Sequence, residues 1–312
     1  MRHPNFIGVG LVVVSAIVFS SAGLFVKSVT AGSWEVIFWR GIFAIAFSLV
    51  FVILRRSFRR EILLMGKPGL AVALVGALGT GAFVPAFKLT TVANVSLIYA
   101  AAPIIAALLA RFFIGEKITR QTLIAIGLAF VGVAIIFSGS LGQLHLRGDL
   151  LALFMTVMMA SMFVIYRAFP ATPAVGPAIL SSVLLLVPGV ALGNPFEVAG
   201  DEIAILAAFG GLFAIASITL GEGARRIPAS QTALLSALET PLAPVLAWLF
   251  LAEKPAFATY IGGALVLAAI VWAQLGATKD ARLNPPSSPR RSSKPIRSPS
   301  PRPPTPDKPP PP

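Results

Sequence analysis

Glu239 stands within an apolar stretch, Ser230 to Ala252, and Arg40 within another, Trp34 to Leu54. A charge inside a run long enough to span a bilayer is costly, and where one occurs it marks a substrate or ion pathway. The two residues offer complementary chemistry. The Arg40 guanidinium is a fixed cation whose planar fork suits a carboxylate. The Glu239 carboxylate can take up a proton or hold a substrate amine in turn. Counting about 1.5 Å per residue from Ser33 places Arg40 roughly 10 Å below one end of its span, too deep for bulk hydration even though a long stem snorkels in part. Glu239 falls near the middle of its own stretch. Pro241 and Pro244 follow it, each removing a backbone donor and leaving carbonyls of the preceding turn unpaired, which is tolerable only beside a cavity or a polar neighbour. Structural readings stay open for both charges: Arg40 against a helix C-terminus or Glu35, and Glu239 bonded across helices, Arg40 included.

Weaker polar candidates share these depths. Asn94 and Ser96, with the corresponding Gln231, sit near the starts of the fourth and ninth apolar runs, and Tyr99 lies deeper. Each can line a substrate path or simply bridge helices. Trp34 suits an interfacial belt, and Trp39 is expected to wall a cavity beside Arg40. Met155, Met158, Met159 and Met162 form a cluster that serves either as core filler or as a face accepting varied ligands.

The inventory of other reactive groups is short. There is no Cys, and the two His, His3 and His145, lie outside the apolar runs, so neither a metal site nor a thiol or His-based catalytic centre can form within them. Asp149, Asp201, Asp280 and Asp307 also fall outside. No cofactor is implied, and with no nucleotide-binding Gly-Lys loop, energy must come from an ion or substrate gradient. An intramembrane enzyme would lack a catalytic set, and a channel or scaffold would lack a carbonyl filter or charged ring; both stand as alternatives to a transporter.

The elements that must position these residues follow from hydropathy. At 56% hydrophobic and 12% charged, the 312-residue chain is an integral membrane protein. Apolar runs place spans at about 6–26, 34–54, 69–87, 92–113, 121–139, 150–169, 173–193, 203–221, 229–252 and 257–275. The first run is too long for a signal sequence and is read as the first helix. Much of the formal charge of +13 belongs to residues 276–312, a basic Pro- and Ser-rich tail expected to be disordered and to lie against anionic lipid, with no nucleic-acid partner. Arg55, Arg56, Arg59, Arg60, Lys67, Lys117, Arg120, Arg167, Arg225 and Arg226 occupy alternate connections, which places both termini in the cytoplasm.

Two stretches repeat. Leu109 to Lys117 ends in Gly115, Glu116, Lys117, and Leu246 to Lys254 ends in Ala252, Glu253, Lys254, an offset of 137 residues. Leu24 to Lys27 aligns with Val164 to Arg167 at a nearby offset. The chain is therefore predicted to be all-α, with ten transmembrane helices in two five-helix halves, 1–140 and 148–275. Because five is odd, the second half is inverted. Glu116 and Glu253 are expected to fix helix ends rather than to touch substrate. Arg40 and Glu239 have apolar counterparts near Leu180 and at Ala102, so neither charge is demanded by the repeat.

With its ten runs, its repeat, Phe38-Trp39-Arg40-Gly41, the Pro103 to Glu116 segment and Ala237-Leu238-Glu239-Thr240-Pro241, the chain resembles the EamA-type members of the drug/metabolite transporter superfamily over roughly residues 5–275. The resemblance implies a central cavity between the halves in an inner-membrane secondary transporter, most simply an exporter of small organic amine or carboxylate solutes, with protons as a possible coupling ion. Import and the oligomeric state stay open. The charge pattern makes a testable prediction: a reporter fused within the Arg55–Lys67 loop or at the C-terminus reads cytoplasmic, and one near Glu197 reads external. The reverse pattern at matched sites overturns the inverted arrangement.

Overall fold

An apolar run in lipid has no water to satisfy its backbone, so it must close its hydrogen bonds on itself as helix. The protein does this throughout. The structure, a computed structural model, describes residues 6–89, 95, 98–137, 146–251 and 257–283, and contains no strand among them. Its helices are α1 (Phe6–Phe19), α2 (Ala22–Lys27), α3 (Ser33–Leu54), α4 (Gly66–Leu89), α5 (Ala102–Ile114), α6 (Arg120–Phe137), α7 (Leu146–Ala168), α8 (Val175–Leu192), α9 (Gly200–Ala224), α10 (Ala229–Ser236), α11 (Glu239–Leu251) and α12 (Phe257–Leu283). Six stretches have the length and composition of a membrane span: Phe6–Val26, Ser33–Leu54, Gly66–Ala86, Leu146–Ala168, Val175–Leu192 and Gly200–Ala224. Large apolar side chains such as Leu54, Phe112 and Phe250 are exposed on the outside of the bundle, as a lipid-facing surface requires.

Three expected spans are interrupted. The first breaks at Ser20–Ser21, whose hydroxyls turn back to donate to the Ile17 and Val18 carbonyls at 2.6 and 2.7 Å. The ninth breaks at Ala237–Leu238, where the Leu238 and Thr240 N–H groups donate to carbonyls three residues back and Pro241 has no N–H to offer. The fourth run has the same tightening at Ala100–Ala101, before Pro103. These two interruptions stand 137 residues apart, the offset of the sequence repeat. Proline placement, invisible to a hydropathy count, is the physical reason the ninth run is not one helix.

Helices of the first half pack mainly on helices of the second. α1 packs on α9, α4 on α7, α3 on both α8 and α9, α4 also on α8, α5 on α10 and α7, and α6 on α12. Exchanging the halves element for element leaves the pairings among α1, α3, α4, α7, α8 and α9 and that of α6 with α12 unchanged. Small residues permit the closest approaches, since in lipid it is backbone proximity rather than hydrophobicity that holds helices together. A Cβ on Gly132 would lie 2.7 Å from the Gly262 carbonyl oxygen, joining α6 to α12. A Cβ on Gly210 would lie 2.5 Å from Phe43 Cβ and 2.8 Å from the Arg40 carbonyl oxygen, joining α9 to α3 beside the buried arginine.

Carboxylates tie the bundle at each end. At one end Glu116 accepts from Arg167 Nε at 3.0 Å and from the Ala229 N–H at 3.4 Å, while Glu61 accepts from the Val175 N–H at 3.2 Å. At the other, Glu202 accepts from the Thr30 N–H and hydroxyl at 2.6 and 2.9 Å and from the Ala31 N–H at 3.2 Å. Glu35 there accepts from the Asn194 N–H at 2.9 Å. Glu116 thus does the helix-end work expected of it; Glu253 lies outside the described residues. The glycine contacts are directly testable. Gly210→Ala forces α3 and α9 apart and is expected to destabilise the protein by about 1–3 kcal/mol, read as a lower melting temperature in detergent, whereas Gly10→Ala, with nothing within 4 Å, leaves it unchanged.

Candidate functional site

Arg40 is held by α3 near the centre of the bundle, 3% exposed. Its guanidinium carbon lies 4.0 Å from the centre of the Phe213 ring and 5.5 Å from that of Phe209, two aromatics one turn apart on α9 that Gly210 brings close. A cation over an aromatic face in a desolvated setting gains about 2 kcal/mol, which offsets part of its lost hydration. Its Nε has no hydrogen-bond partner. Glu35, one of its sequence-proposed partners, is instead engaged by Asn194, and among the described residues no carboxylate forms an ion pair with Arg40.

Glu239 is the first residue of α11, just past the break in the ninth run, and is half-buried. The Tyr99 side chain from the fourth run lines the same cavity as Glu239, so the two interrupted runs meet there. Ser236, one turn before Glu239, is buried with its hydroxyl unpartnered.

These groups surround one cavity, with about 120 Å³ open to the centre of a water molecule. Arg40, Tyr99, Ser236 and Glu239 line it; so do Ser15, Thr80, Ser181 and Ser217. The remaining wall is apolar, with Phe19, Phe83, Phe209 and Phe213 and three methionines, Met155, Met159 and Met162. Ser15 is committed to the bundle, its hydroxyl donating to the Ala216 carbonyl at 2.9 Å. The cavity can hold a solute that has both charged groups and an apolar part.

Of the residues proposed from sequence, the structure brings Arg40, Tyr99 and Glu239 together on the cavity wall. Trp39 does not join them. One residue from Arg40, it points about 100° away around the helix; its indole N–H donates to the Pro195 carbonyl at 2.7 Å, fastening α3 to the short turn Pro195–Glu197. Gln231 is half-buried on α10 and is not among the lining residues. Asn94 and Ser96 lie outside the described residues. Sequence reading missed Ser236 and the Phe209/Phe213 cradle. A signal existed for each: Ser236 is three residues before Glu239 and so shares its helix face, and the two phenylalanines are four apart.

A polytopic helical protein whose two halves interlock around a central cavity defines the class as a multi-pass membrane protein with a buried solute-sized site. The profile of the EamA-like transporter family matches residues 6–138 and 146–274, one match to each half. The chain belongs to that family, and is a membrane transporter of the drug/metabolite type. A crystal structure of a protein 20% identical in sequence superposes with a TM-score of 0.75, covering 87% of this chain and 98% of that one, which establishes a shared fold. No curated protein sequence matches the chain.

The separation of the two charges has a measurable consequence. Had they formed a buried ion pair, removing one would strand the other and removing both would restore stability. Because neither is the other's ion-pair partner, the Arg40→Leu/Glu239→Gln double variant is expected to melt no higher than the less stable of the two single variants. Recovery of stability in the double variant would show that they pair.

Proposed function

We propose that the protein is a secondary transporter that exports small organic solutes bearing amine and carboxylate groups across the inner membrane by alternating access. The observation that carries this reading is the placement of Arg40, from the first half, and Glu239, from the second, on the wall of one cavity with no ion pair between them. Two opposite charges that close to a cavity and not neutralising each other are a receptor for a solute with the complementary pair. Arg40, on the cavity wall, receives the carboxylate. Glu239, with Tyr99 and Ser236 beside it, receives the amine and exchanges it for a proton during the cycle.

The helix pairings that survive exchange of the halves support an inverted repeat, with both termini cytoplasmic. Under alternating access, either end opens by releasing carboxylates from backbone N–H groups: Glu61 from Val175 and Glu116 from Ala229 on the cytoplasmic side, Glu202 from Thr30 and Ala31 and Glu35 from Asn194 on the outer side. Such bonds are individually modest, about 1.5–3 kcal/mol for a charged acceptor, and can be broken and remade each cycle.

The test is counterflow of labelled amino acids in proteoliposomes. Arg40→Lys keeps the charge but loses the fork and the flat face over Phe213, so carboxylated solutes are expected to bind roughly tenfold more weakly while the protein still folds. Glu239→Gln keeps size and hydrogen bonding but cannot ionise, so flux is expected to lose its dependence on pH. Unchanged flux in both variants, or no flux of any amine or carboxylate solute, sinks the reading.

A further inference from the structure

Where α3 ends, its last carbonyls are closed by a backbone wrap that ordinarily uses glycine. The Arg56 N–H donates to the Ile53 carbonyl and the Ser57 N–H to the Val52 carbonyl, each at 3.0 Å, and Arg56 takes the left-handed conformation the wrap demands, with a φ of 50°. Glycine adopts that conformation freely, whereas arginine does so at a cost. Arg55, Arg56, Arg59 and Arg60 fall within six residues and are all exposed. Among the described residues none of the four forms an ion pair. Arg55 lies back along the span, its guanidinium carbon 5.3 Å from the centre of the exposed Phe51 ring, one turn before the helix ends.

The loop that carries these arginines, residues 55–65, is two-sided. Its inner side is fixed to the second half: Glu61 accepts from the Val175 N–H at 3.2 Å, and Ile62 packs on Val52, Val175 and Ile179. That attachment leaves Phe58, Leu63 and Leu64 exposed among the arginines. A charge bias that only orients the chain needs the cations alone. Apolar side chains exposed beside them suit the boundary between headgroups and acyl chains.

We infer that this loop is a binding surface for anionic phospholipid, with Arg55, Arg56, Arg59 and Arg60 on headgroup phosphates and Phe58, Leu63 and Leu64 at the acyl boundary. A guanidinium fork matches phosphate oxygens and remains charged at any physiological pH. Arginine in place of glycine at the end of α3 is accounted for by the same contact, since the charge there gains a partner that offsets the backbone cost. The inference needs only a bundle that spans a membrane, and stands apart from the two-charge reading of the cavity.

The chain has no Cys, so Ser57→Cys, between the two arginine pairs, carries a single fluorophore in the full-length protein. The labelled protein is placed in phosphatidylcholine bilayers with a small share of brominated lipid, and quenching reads which lipid sits at the loop. Brominated phosphatidylglycerol is expected to be enriched there about tenfold or more over brominated phosphatidylcholine, since each arginine at an anionic surface contributes roughly fivefold. Arg59→Gln/Arg60→Gln is expected to cut the enrichment roughly fivefold, and Lys117→Gln/Arg120→Gln, the same loss of charge in another connection at that end, to leave it within about twofold. Arg56→Gly is expected to cut it about threefold while the melting temperature in neutral detergent holds or rises, because glycine suits the left-handed position, so lost binding is read apart from lost folding. Equal enrichment of the two lipids, an equal loss in the two double variants, or no loss in either arginine variant overturns the surface. So does reversal of the quenching by soluble glycerol 3-phosphate, which marks a site for free phosphate instead of lipid.

Discussion

A guanidinium with no counter-ion among the described residues, in the middle of a helical bundle, is the constraint on which the rest of this structure turns. Burial keeps bulk water from Arg40, and among the described residues no carboxylate replaces it. What replaces it is geometry: two ring faces on α9, brought within range because Gly210 has no side chain to keep α9 away from the backbone of α3. Arg40 also lines the cavity, while its Nε stays buried away from that space. A tighter helix pair with no cavity would leave the charge stranded; a looser one would lose the aromatic support.

The second charge is placed by a different device. Glu239 owes its position to a break in a helix that hydropathy alone would draw as continuous. Where Leu238 and Thr240 bond three residues back and Pro241 cannot donate at all, the backbone has polar groups to satisfy, and lipid offers nothing. Such irregular backbone is stable only against a polar or water-accessible neighbour, so the break, the carboxylate, the Ser236 hydroxyl and the Tyr99 phenol converge on the same cavity. The matching interruption at Ala100–Ala101 brings Tyr99 to that point from the other half. The repeat thus supplies two equivalent bends, and point differences within it, Glu239 against Ala102, supply the chemistry.

The ends of the bundle are built on one recurring contact, a carboxylate accepting from backbone N–H groups of the other half. Glu61 at Val175 and Glu116 at Ala229 satisfy first donors that a helix cannot satisfy itself, and Glu202 satisfies Thr30 and Ala31 in the loop before α3. These contacts lie where water can compete, unlike the apolar packing between them. The middle is held by close backbone approach and the ends by polar caps, so the ends are the part that can yield while the helices remain whole.

Much of this was legible in the order of residues. Apolar runs of span length, with other charges in the connections or near run ends and two charges deep inside, determine an all-helical membrane protein and single out Arg40 and Glu239, because the energetic penalty of lipid on polar groups is local and can be counted along the chain. The 137-residue repeat determines that the chain is two related halves. Which side chains share a cavity is decided only by the fold. Trp39 and Arg40 are neighbours in sequence yet serve different places, one fastened to Pro195 and the other facing the cavity, since adjacent helical residues point about 100° apart. Conversely Tyr99 and Glu239, 140 positions apart, line one cavity, and Arg40 meets Phe213 across 173. Contacts of that kind depend on which helix faces are drawn together by glycines and bent by prolines, and that is a property of the packed bundle that no single stretch of sequence contains.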